Sequence, residues 1–236
     1  MSSSISFRIA SWNIHKGVGS DRRRDLGRTA RVISELAADL VCLQEADRRF
    51  GDKAGLLDLD ALKAESGLVP VPVDTPGPSH GWHGNLILIR EGIEVRHVRP
   101  LALPGLEPRG ALVAELRLHG RPLRVIGAHF GLLPRSRRQQ TRAILDRIDE
   151  MEPHPTLLMG DLNEWRTGPT SPLAPFLRHF RPAPAPRSFP ARMPVLPLDR
   201  MMVGPVGELH DVAAHVSPLA RKASDHLPVT ARLVLP

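Results

Sequence analysis

The sequence has no tyrosine, a single cysteine and few aromatic residues, which make up 4% of its 236 positions. One cysteine excludes an intrachain disulfide, and Cys42 lies in segment 39–45, where a small buried side chain is expected to pack rather than react. No apolar run approaches the roughly 20 residues of a membrane span, and residues 1–6 lack the cationic and apolar regions of a secretory signal. We therefore expect a soluble cytoplasmic protein.

What is present is an ordinary globular composition with an excess of positive charge. Hydrophobic residues account for 42% and charged residues for 24%, which fits one large domain or two small ones. The net charge of +7, carried mainly by arginine, implies affinity for anions such as nucleic acid, phosphorylated metabolites or an anionic membrane surface. The arginines and the 24 prolines are also what a GC-rich genome would encode, so charge alone does not choose a partner.

Apolar periodicity predicts strands alternating with helices. Strands are expected at 7–12, 40–43, 85–90, 111–118, 122–128, 156–159, 195–203 and 229–235. Helices are expected at 25–38, with Asp25 as the N-cap, and at 141–151. The proline-dense segment 182–197 predicts an irregular surface connection, and no break in composition marks a linker. A single domain over 1–236 is therefore expected.

Five short motifs place polar chemistry at the ends of strand-like runs. They are Ser11-Trp12-Asn13, Leu43-Gln44-Glu45, Gly160-Asp161-Leu162-Asn163, Leu198-Asp199-Arg200 and Ser224-Asp225-His226. Their carboxylates, amides and histidine suit a divalent metal and an attacked phosphate. A hard cation such as Mg²⁺ prefers oxygen ligands, so Glu45 with Asp161 or Asp225 is chemically sufficient.

The order of these motifs resembles the endonuclease/exonuclease/phosphatase superfamily, over 7–233. Its most specific parts here are Gly160-Asp161-Leu162-Asn163 and Ser224-Asp225-His226-Leu227-Pro228. The resemblance implies an α/β fold, a four-layered α/β sandwich in which two mixed β-sheets pack face to face and are flanked by helices. The polar groups at the strand ends would then converge at one rim of the sandwich.

The resemblance also implies a metal site. Glu45 would be the principal ligand of Mg²⁺ or Mn²⁺, Asn13 would position the metal and the phosphate, and Asp225 would assist the metal. Apart from the resemblance, Glu45 could be a solvated carboxylate at a strand end, and Asn13 could be a turn residue.

Catalytic roles follow from the same resemblance. Asp161 would orient or deprotonate the attacking water, and Asn163 would hold a phosphate oxygen. Asp199 would orient His226 and favour its protonated form, which stabilises charge on the nonbridging oxygens. His129 would be an auxiliary catalytic group, although a histidine at a sheet rim can also be purely structural.

The resemblance also implies substrate-binding residues, and each of them has a structural role as an alternative. Asn85 could face the site or belong to a turn, and Arg109 could bind a substrate phosphate or lie elsewhere. Arg135, Arg137 and Arg138 are expected at the mouth of the site, where they would bind a polyanion or a lipid head group. The alternative is that they form the solvated start of a helix.

Two differences from the family's nucleases count against particular kinds of nuclease activity. His15 occupies the place where many family nucleases have an acidic residue, which counts against abasic-site repair and a second metal there. The shortage of aromatics counts against a duplex-opening nuclease.

The sequence therefore predicts a Mg²⁺- or Mn²⁺-dependent phosphohydrolase that cleaves a phosphodiester by activated water. Nucleic acid and a phospholipid or small phosphodiester both fit as substrate, an anionic membrane surface fits as a peripheral location, and no obligate protein partner is inferred. The rival is a catalytically silent anion-binding scaffold that retains the fold.

Overall fold

The computed structural model describes residues 4–48, 51–74, 77–181 and 183–236. The strands are β1 Ile5–Asn13, β2 Leu40–Gln44, β3 Leu68–Pro70, β4 Leu86–Arg90, β5 Glu94–Leu103, β6 Arg109–Leu118, β7 Arg121–His129, β8 Thr156–Asp161, β9 Asp199–Gly204, β10 Glu208–Ala214 and β11 Val229–Leu235. The helices are α1 Leu26–Glu35, α2 Leu59–Ser66, α3 Pro134–Asp149 and α4 Ala220–Ala223, with 3₁₀ turns at His15–Gly17 and Ala174–Arg178.

The strands form two mixed sheets. The first has the order β10-β11-β1-β2-β4-β3 and the second the order β5-β6-β7-β8-β9. β1 runs parallel to β2 and β7 runs parallel to β8, whereas the other pairs are antiparallel. Parallel neighbours need a crossover, and helices α1 and α3 supply it in the two sheets.

Among the described residues, three apolar cores hold the layers together. Between the sheets, Ile9 and Cys42 of the first sheet share a core with Val125 and Met159 of the second. Gly127 brings the sheets close together there, since a Cβ at this position would lie 3.2 Å from the Cys42 sulfur. Burial raises the pKa of the Cys42 thiol, which agrees with a packing role.

The outer faces of the sheets are covered by helices. Ile33 of α1 and Leu62 of α2 pack on the first sheet, whereas Ile144 of α3 and Phe176 pack on the second. This arrangement of helix, sheet, sheet and helix confirms the predicted four-layered α/β sandwich.

The predicted elements are recovered with shifted bounds. Asp25 caps α1, because its Oδ1 accepts a hydrogen bond from the Arg28 amide at 2.8 Å. α3 begins at Pro134 instead of 141, since its first two turns are too polar to show apolar spacing. β5 was not predicted because it is a largely exposed edge strand, and edge strands lack a buried face.

The segment 182–197 contains no helix or sheet strand among its described residues, 183–197, and Pro182 lies outside them. In the described ranges, no helix has the length and apolar character that crossing a bilayer requires.

Candidate active site

Four of the five motifs meet at one rim because of strand register, and the fifth, Ser224-Asp225-His226, joins them through hydrogen bonds to Asn13 and Asp199. Asn13 pairs with Gln44 at the carboxyl ends of β1 and β2, and His129 pairs with Asp161 at the ends of β7 and β8. Asp199 begins the neighbouring strand opposite Asp161. Gly160 permits this close pairing, since a Cβ there would lie 1.8 Å from the Ala128 carbonyl oxygen. Face-to-face packing then brings both strand-end pairs to one side of the molecule.

A buried Asp199–His226 pair lies at the centre of the rim. Nδ1 of His226 is 2.8 Å from Oδ2 of Asp199, and this oxygen also accepts a hydrogen bond from the Ser188 hydroxyl at 2.5 Å. The Trp12 indole donates to the His226 carbonyl, and the Phe189 ring lies 4.8 Å from the imidazole ring. The imidazole is therefore fixed in orientation, with Nε2 directed at Asp161 Oδ2, 3.7 Å away.

Asp161 is held by hydrogen bonds at both oxygens. Asn13 Nδ2 donates to its Oδ2 at 3.0 Å, and the Asn163 amide donates to its Oδ1 at 3.0 Å. His129 Nε2 lies 3.4 Å from the same Oδ2. Nitrogen atoms from Asn13, His129 and His226 thus converge on one carboxylate oxygen of Asp161.

The two central titrating groups have displaced pKa values. Burial raises the pKa of Asp161 to about 6, with Asp199 adding to the rise and His226 opposing it. Burial alone would lower the pKa of His226, but the charges of Asp199 and Asp161 outweigh it and raise this pKa to about 10. At neutral pH the imidazolium and the ionised Asp161 carboxylate therefore coexist, which suits a donor and a base acting side by side.

His129 is different, since it is buried beside a cation. Arg109 Nη1 lies 2.9 Å from His129 Nδ1. Desolvation and the positive charge of Arg109 hold the pKa of His129 well below its ordinary value. His129 is therefore a neutral imidazole in the site.

Glu45 follows β2 in a left-handed conformation, with φ 58°. Its carboxylate forms an ion pair with Lys16 Nζ, and the side chain is 20% exposed. Burial tends to raise the pKa of Glu45, but Lys16 outweighs that effect and holds it below the ordinary value. The carboxylate is thus ionised, partly open and already bound to a cationic group.

Asp225 lies beside the same 3₁₀ turn, His15–Gly17. Its Oδ1 lies 3.7 Å from Nδ1 of His15, which precedes Lys16, and its side chain is 38% exposed. Asn13 contributes a third oxygen near this turn, although its Oδ1 also accepts from the His15 amide. These oxygen donors fit a hard divalent cation, and the Lys16 ammonium marks the position at Glu45 where positive charge is favoured.

A second set of groups could also hold an ion. Ligand atoms of Asp161, Asp199 and His226 lie within 4.8 Å of one another. Here, however, His226 Nδ1 is occupied by Asp199, and the high pKa of His226 keeps it protonated at neutral pH. A protonated imidazole cannot ligate a metal, so these three residues fit proton chemistry better.

A cavity of about 340 Å³ opens beside Glu45 and His129, within the usual size range of small-molecule sites. Trp82 and His83 form one wall, with their rings in edge contact at 4.7 Å. The charged residues that line the cavity are Lys16, Arg48, Lys53, Arg109, Glu45, Asp47, Asp52 and Glu107.

The two other predicted asparagines, Asn163 and Asn85, lie at different depths in the site. Asn163 lies at the rim in a left-handed conformation, and its side-chain Nδ2 donates to the Phe130 carbonyl at 3.0 Å. Asn85 is buried beneath the rim, where Nδ2 donates to the carbonyls of Trp82 and Gly110 at 3.1 and 2.9 Å. Asn85 therefore supports the cavity wall through its backbone contacts.

The prediction that Arg135, Arg137 and Arg138 form a cluster at the mouth of the site is wrong. Arg137 is buried and pairs with Glu164 at 3.1 Å, so it is part of the interior. Arg138 lines a groove along α3 with Arg142, instead of the cavity beside His129. Arg135 is exposed at the start of the helix. Successive helical residues point in different directions, so a run of arginines in sequence did not become a cluster in space.

Sequence analysis missed Lys16, Ser188 and Ser224. Ser224 Oγ donates to the Asn13 carbonyl at 2.7 Å and so joins two motifs. Ser224 belongs to one of the five motifs, and Ser188 begins the stretch Ser188-Phe-Pro-Ala-Arg192 that precedes the Leu198-Asp199-Arg200 motif, so both could have been noticed. Lys16 lies outside the motifs and contacts Glu45 only through the fold.

Residues 10–226 match the sequence model of the Endonuclease/Exonuclease/phosphatase family. Uncharacterized protein YbhP of Escherichia coli (strain K12) is 29% identical over 265 residues, covering 98% of this chain and 97% of its own.

Two solved structures show the same fold. An endonuclease/exonuclease/phosphatase from Beutenbergia cavernae DSM 12333 is 25% identical with a TM-score of 0.71, covering 98% of this chain and 72% of that chain. A mannosyl-6-phosphatase from Bacteroides thetaiotaomicron VPI-5482 has a TM-score of 0.74 at 17% identity, covering 97% of this chain and 99% of its own.

Proposed function

The chain belongs to the Endonuclease/Exonuclease/phosphatase family, and from that premise we propose that it is a Mg²⁺- or Mn²⁺-dependent phosphohydrolase that cleaves a phosphodiester with an activated water. The observation that carries the proposal is the buried Asp161–His226–Asp199 arrangement. It combines a carboxylate whose pKa is raised to about 6 with an imidazole whose pKa is raised to about 10.

Asp161 is suited to act on the water. Its Oδ2 is the oxygen on which the nitrogens of Asn13, His129 and His226 converge, so a water bound there is oriented by fixed groups. As the water oxygen forms a bond to phosphorus, Asp161 accepts its proton and the ester P–O bond breaks. The leaving oxygen takes up a proton from solvent.

His226 is suited to the developing charge on phosphate. Its Nε2–H is directed into the site, and its Nδ1–H is bound by Asp199, so the ring needs no reorientation during the reaction. Neutral His129 can donate a second hydrogen bond from Nε2. Such preorganised donors act most strongly in a site shielded from water.

A divalent cation held by Glu45 and Asp225, with Asn13 nearby, would neutralise charge on the phosphate oxygens. The same carboxylates serve this role whichever of the two ions is bound, because both Mg²⁺ and Mn²⁺ accept oxygen ligands.

Bis-p-nitrophenyl phosphate is the substrate for the first test, assayed with Mg²⁺, Mn²⁺ or excess EDTA. Chelation should abolish turnover, and Glu45→Gln should weaken metal binding measured by calorimetry. His226→Ala should reduce kcat by about a hundredfold or more, the usual scale for losing one transition-state donor. Asp199→Asn should lower activity to a small but measurable level while circular dichroism stays native.

Other results would favour the silent scaffold. Undiminished hydrolysis in EDTA would contradict metal dependence, and normal turnover of both His226→Ala and Asp199→Asn would contradict the catalytic pair. A wild-type protein that hydrolyses none of plasmid DNA, RNA, phospholipids, inositol phosphates and bis-p-nitrophenyl phosphate would support anion binding without catalysis.

A further inference from the structure

Large apolar side chains project into solvent beside the site. Leu106 is 83% exposed, Leu132 63%, Trp165 49% and Leu133 46%. We call these four residues the apolar rim. Single exposed apolar residues are common, whereas several on neighbouring loops usually mark an interaction surface.

Direct contacts join the loops that carry the apolar rim. The Leu132 amide donates to Glu107 Oε1 at 3.0 Å, which ties the Leu106 loop to the loop after β7. Arg137 donates to the Leu132 carbonyl and pairs with Glu164, which precedes Trp165. These contacts hold the three loops next to one another.

Glu107 lines the cavity beside His129 and accepts a hydrogen bond from the Leu132 amide, so Leu106 and Leu132 lie next to the cavity mouth. Leu106 lies three residues before Arg109, Leu132 lies three residues after His129, and Trp165 lies two residues after Asn163. Arg109, His129 and Asn163 all lie in the candidate site, so whatever binds the apolar rim is held against its entrance.

On the loops that carry the apolar rim, the exposed charges are positive. Segments 104–108, 130–135 and 162–172 contain two acidic residues, Glu107 and Glu164. Oε2 of Glu107 is buried, and Glu164 is fully buried against Arg137. The exposed charges are Arg135 and Arg166, and the Arg166 guanidinium lies 5.8 Å from the Trp165 ring. The surface therefore presents leucine, tryptophan and arginine together.

We propose that the apolar rim docks onto an anionic phospholipid bilayer and that the substrate is a phospholipid whose headgroup phosphodiester enters the site from the membrane. Leucines can enter the acyl boundary, while tryptophan and arginine prefer the headgroup level. Side chains this exposed project outward, which suits insertion better than the walls of a peptide groove. The docking surface stands independently, whereas the substrate assignment rests on the proposed function.

Vesicle flotation tests the docking surface. Full-length protein should bind vesicles of phosphatidylcholine containing phosphatidylglycerol more tightly than vesicles of phosphatidylcholine alone. The double substitution Leu106→Ser and Leu132→Ser should weaken binding about tenfold or more. The variant lacks the favourable free energy of moving two leucine side chains from water into the bilayer. Val206→Ser is the matched control, since Val206 is 43% exposed at the opposite end of the sheets, between β9 and β10.

Tryptophan fluorescence gives a second readout that is local to the apolar rim. Trp12 is fully buried and Trp82 lines the cavity, whereas Trp165 is exposed. Adding anionic vesicles should shift the emission to shorter wavelength in the wild type, and Trp165→Phe should remove the shift. A shift that persists in Trp165→Phe would place the contact elsewhere.

Activity separates docking from chemistry. Leu106→Ser with Leu132→Ser should slow hydrolysis of vesicle phospholipid and leave hydrolysis of bis-p-nitrophenyl phosphate unchanged. Glu45→Gln should lose hydrolysis and still bind vesicles. Wild-type protein that binds vesicles but hydrolyses neither substrate would contradict the proposed function alone. Absent vesicle binding, or binding unchanged by the rim substitutions, would overturn the docking surface. A wild-type dimer that these substitutions convert to a monomer would identify a contact between copies instead.

Discussion

Nη1 of Arg109 lies 2.9 Å from Nδ1 of His129, and this contact decides which imidazole nitrogen carries the proton. A guanidinium can only donate, so Nδ1 must accept and the proton of neutral His129 must be on Nε2. That nitrogen is the one facing Asp161, 3.4 Å away. The pair therefore orients a neutral hydrogen-bond donor toward the reacting centre.

Arg109→Gln should raise the pKa of His129 toward its ordinary value, because it removes the nearby positive charge. The rise should be partial, since the desolvation of the buried ring remains. Nitrogen NMR should show the Nε2–H tautomer in the wild type and a titration moved to higher pH in the variant. Arg48→Gln is the control, since Arg48 lines the cavity without this contact to His129. Equal His129 titrations in wild type and Arg109→Gln would contradict the assignment.

Activity should depend on pH with two limits. Asp161 must be ionised to accept a proton, and burial raises its pKa to about 6, so kcat/KM should rise as pH passes this value. His226 must remain protonated, so the rate should fall as pH passes about 10.

Asp199→Asn should move the upper limit to lower pH, because Asp199 helps to raise the pKa of His226. A pH profile of kcat/KM for both proteins checks this shift, and an upper limit that does not move would argue against the pair.

The raised pKa of His226 also predicts how the stability of the folded protein depends on pH. The stabilisation from protonated His226 is complete below about pH 6.5 and is lost as pH rises through about 10.

Lys16 should compete with a divalent cation for Glu45. Its ammonium binds the carboxylate oxygen that a metal would use, so Lys16→Met should increase Mn²⁺ affinity in a calorimetric titration. Lys53→Met removes the same charge from the same cavity without this ion pair, and it should have a smaller effect. Equal gains in the two variants would indicate general electrostatics instead of competition.

The site residues were predictable to the extent that they lie at strand ends. Asn13, Glu45, Asp161 and His226 each follow an apolar run or a specific motif, and strand register brings such ends to one rim. Lys16 was not predictable, because it reaches Glu45 through consecutive left-handed residues in a short turn, with φ of 46° at His15 and 56° at Lys16. No hydrophobic pattern encodes such a turn.

The fold shows a similar division. The buried strand β8 and the capped helix α1 were visible as apolar periodicity, whereas the exposed edge strand β5 was not. The arginine run also misled, because charge in the sequence does not reveal which helical side chain turns inward to meet Glu164 on another loop.

The burial of Arg137 gives two neighbouring arginines very different expected effects on stability. Arg137 and Glu164 side chains are 1% and 0% exposed, and Arg137 also donates to the Gly131 carbonyl at 3.3 Å. Arg137→Ala would leave the Glu164 carboxylate buried with fewer partners, which costs on the order of 3 kcal/mol in the free energy of unfolding. Arg138→Ala, one residue later and exposed, should change it by less than about 0.5 kcal/mol.

Urea denaturation with a constant m-value measures both changes. Converting Glu164→Gln in the Arg137→Ala background should recover part of the loss, since a neutral amide is less costly to bury than an unpaired charge. Equal stabilities of Arg137→Ala and Arg138→Ala would mean that the buried pair does not hold the loop after β8. Because that loop carries Asn163 and Trp165, a true loss at Arg137 would connect the stability of the interior to the geometry of the site.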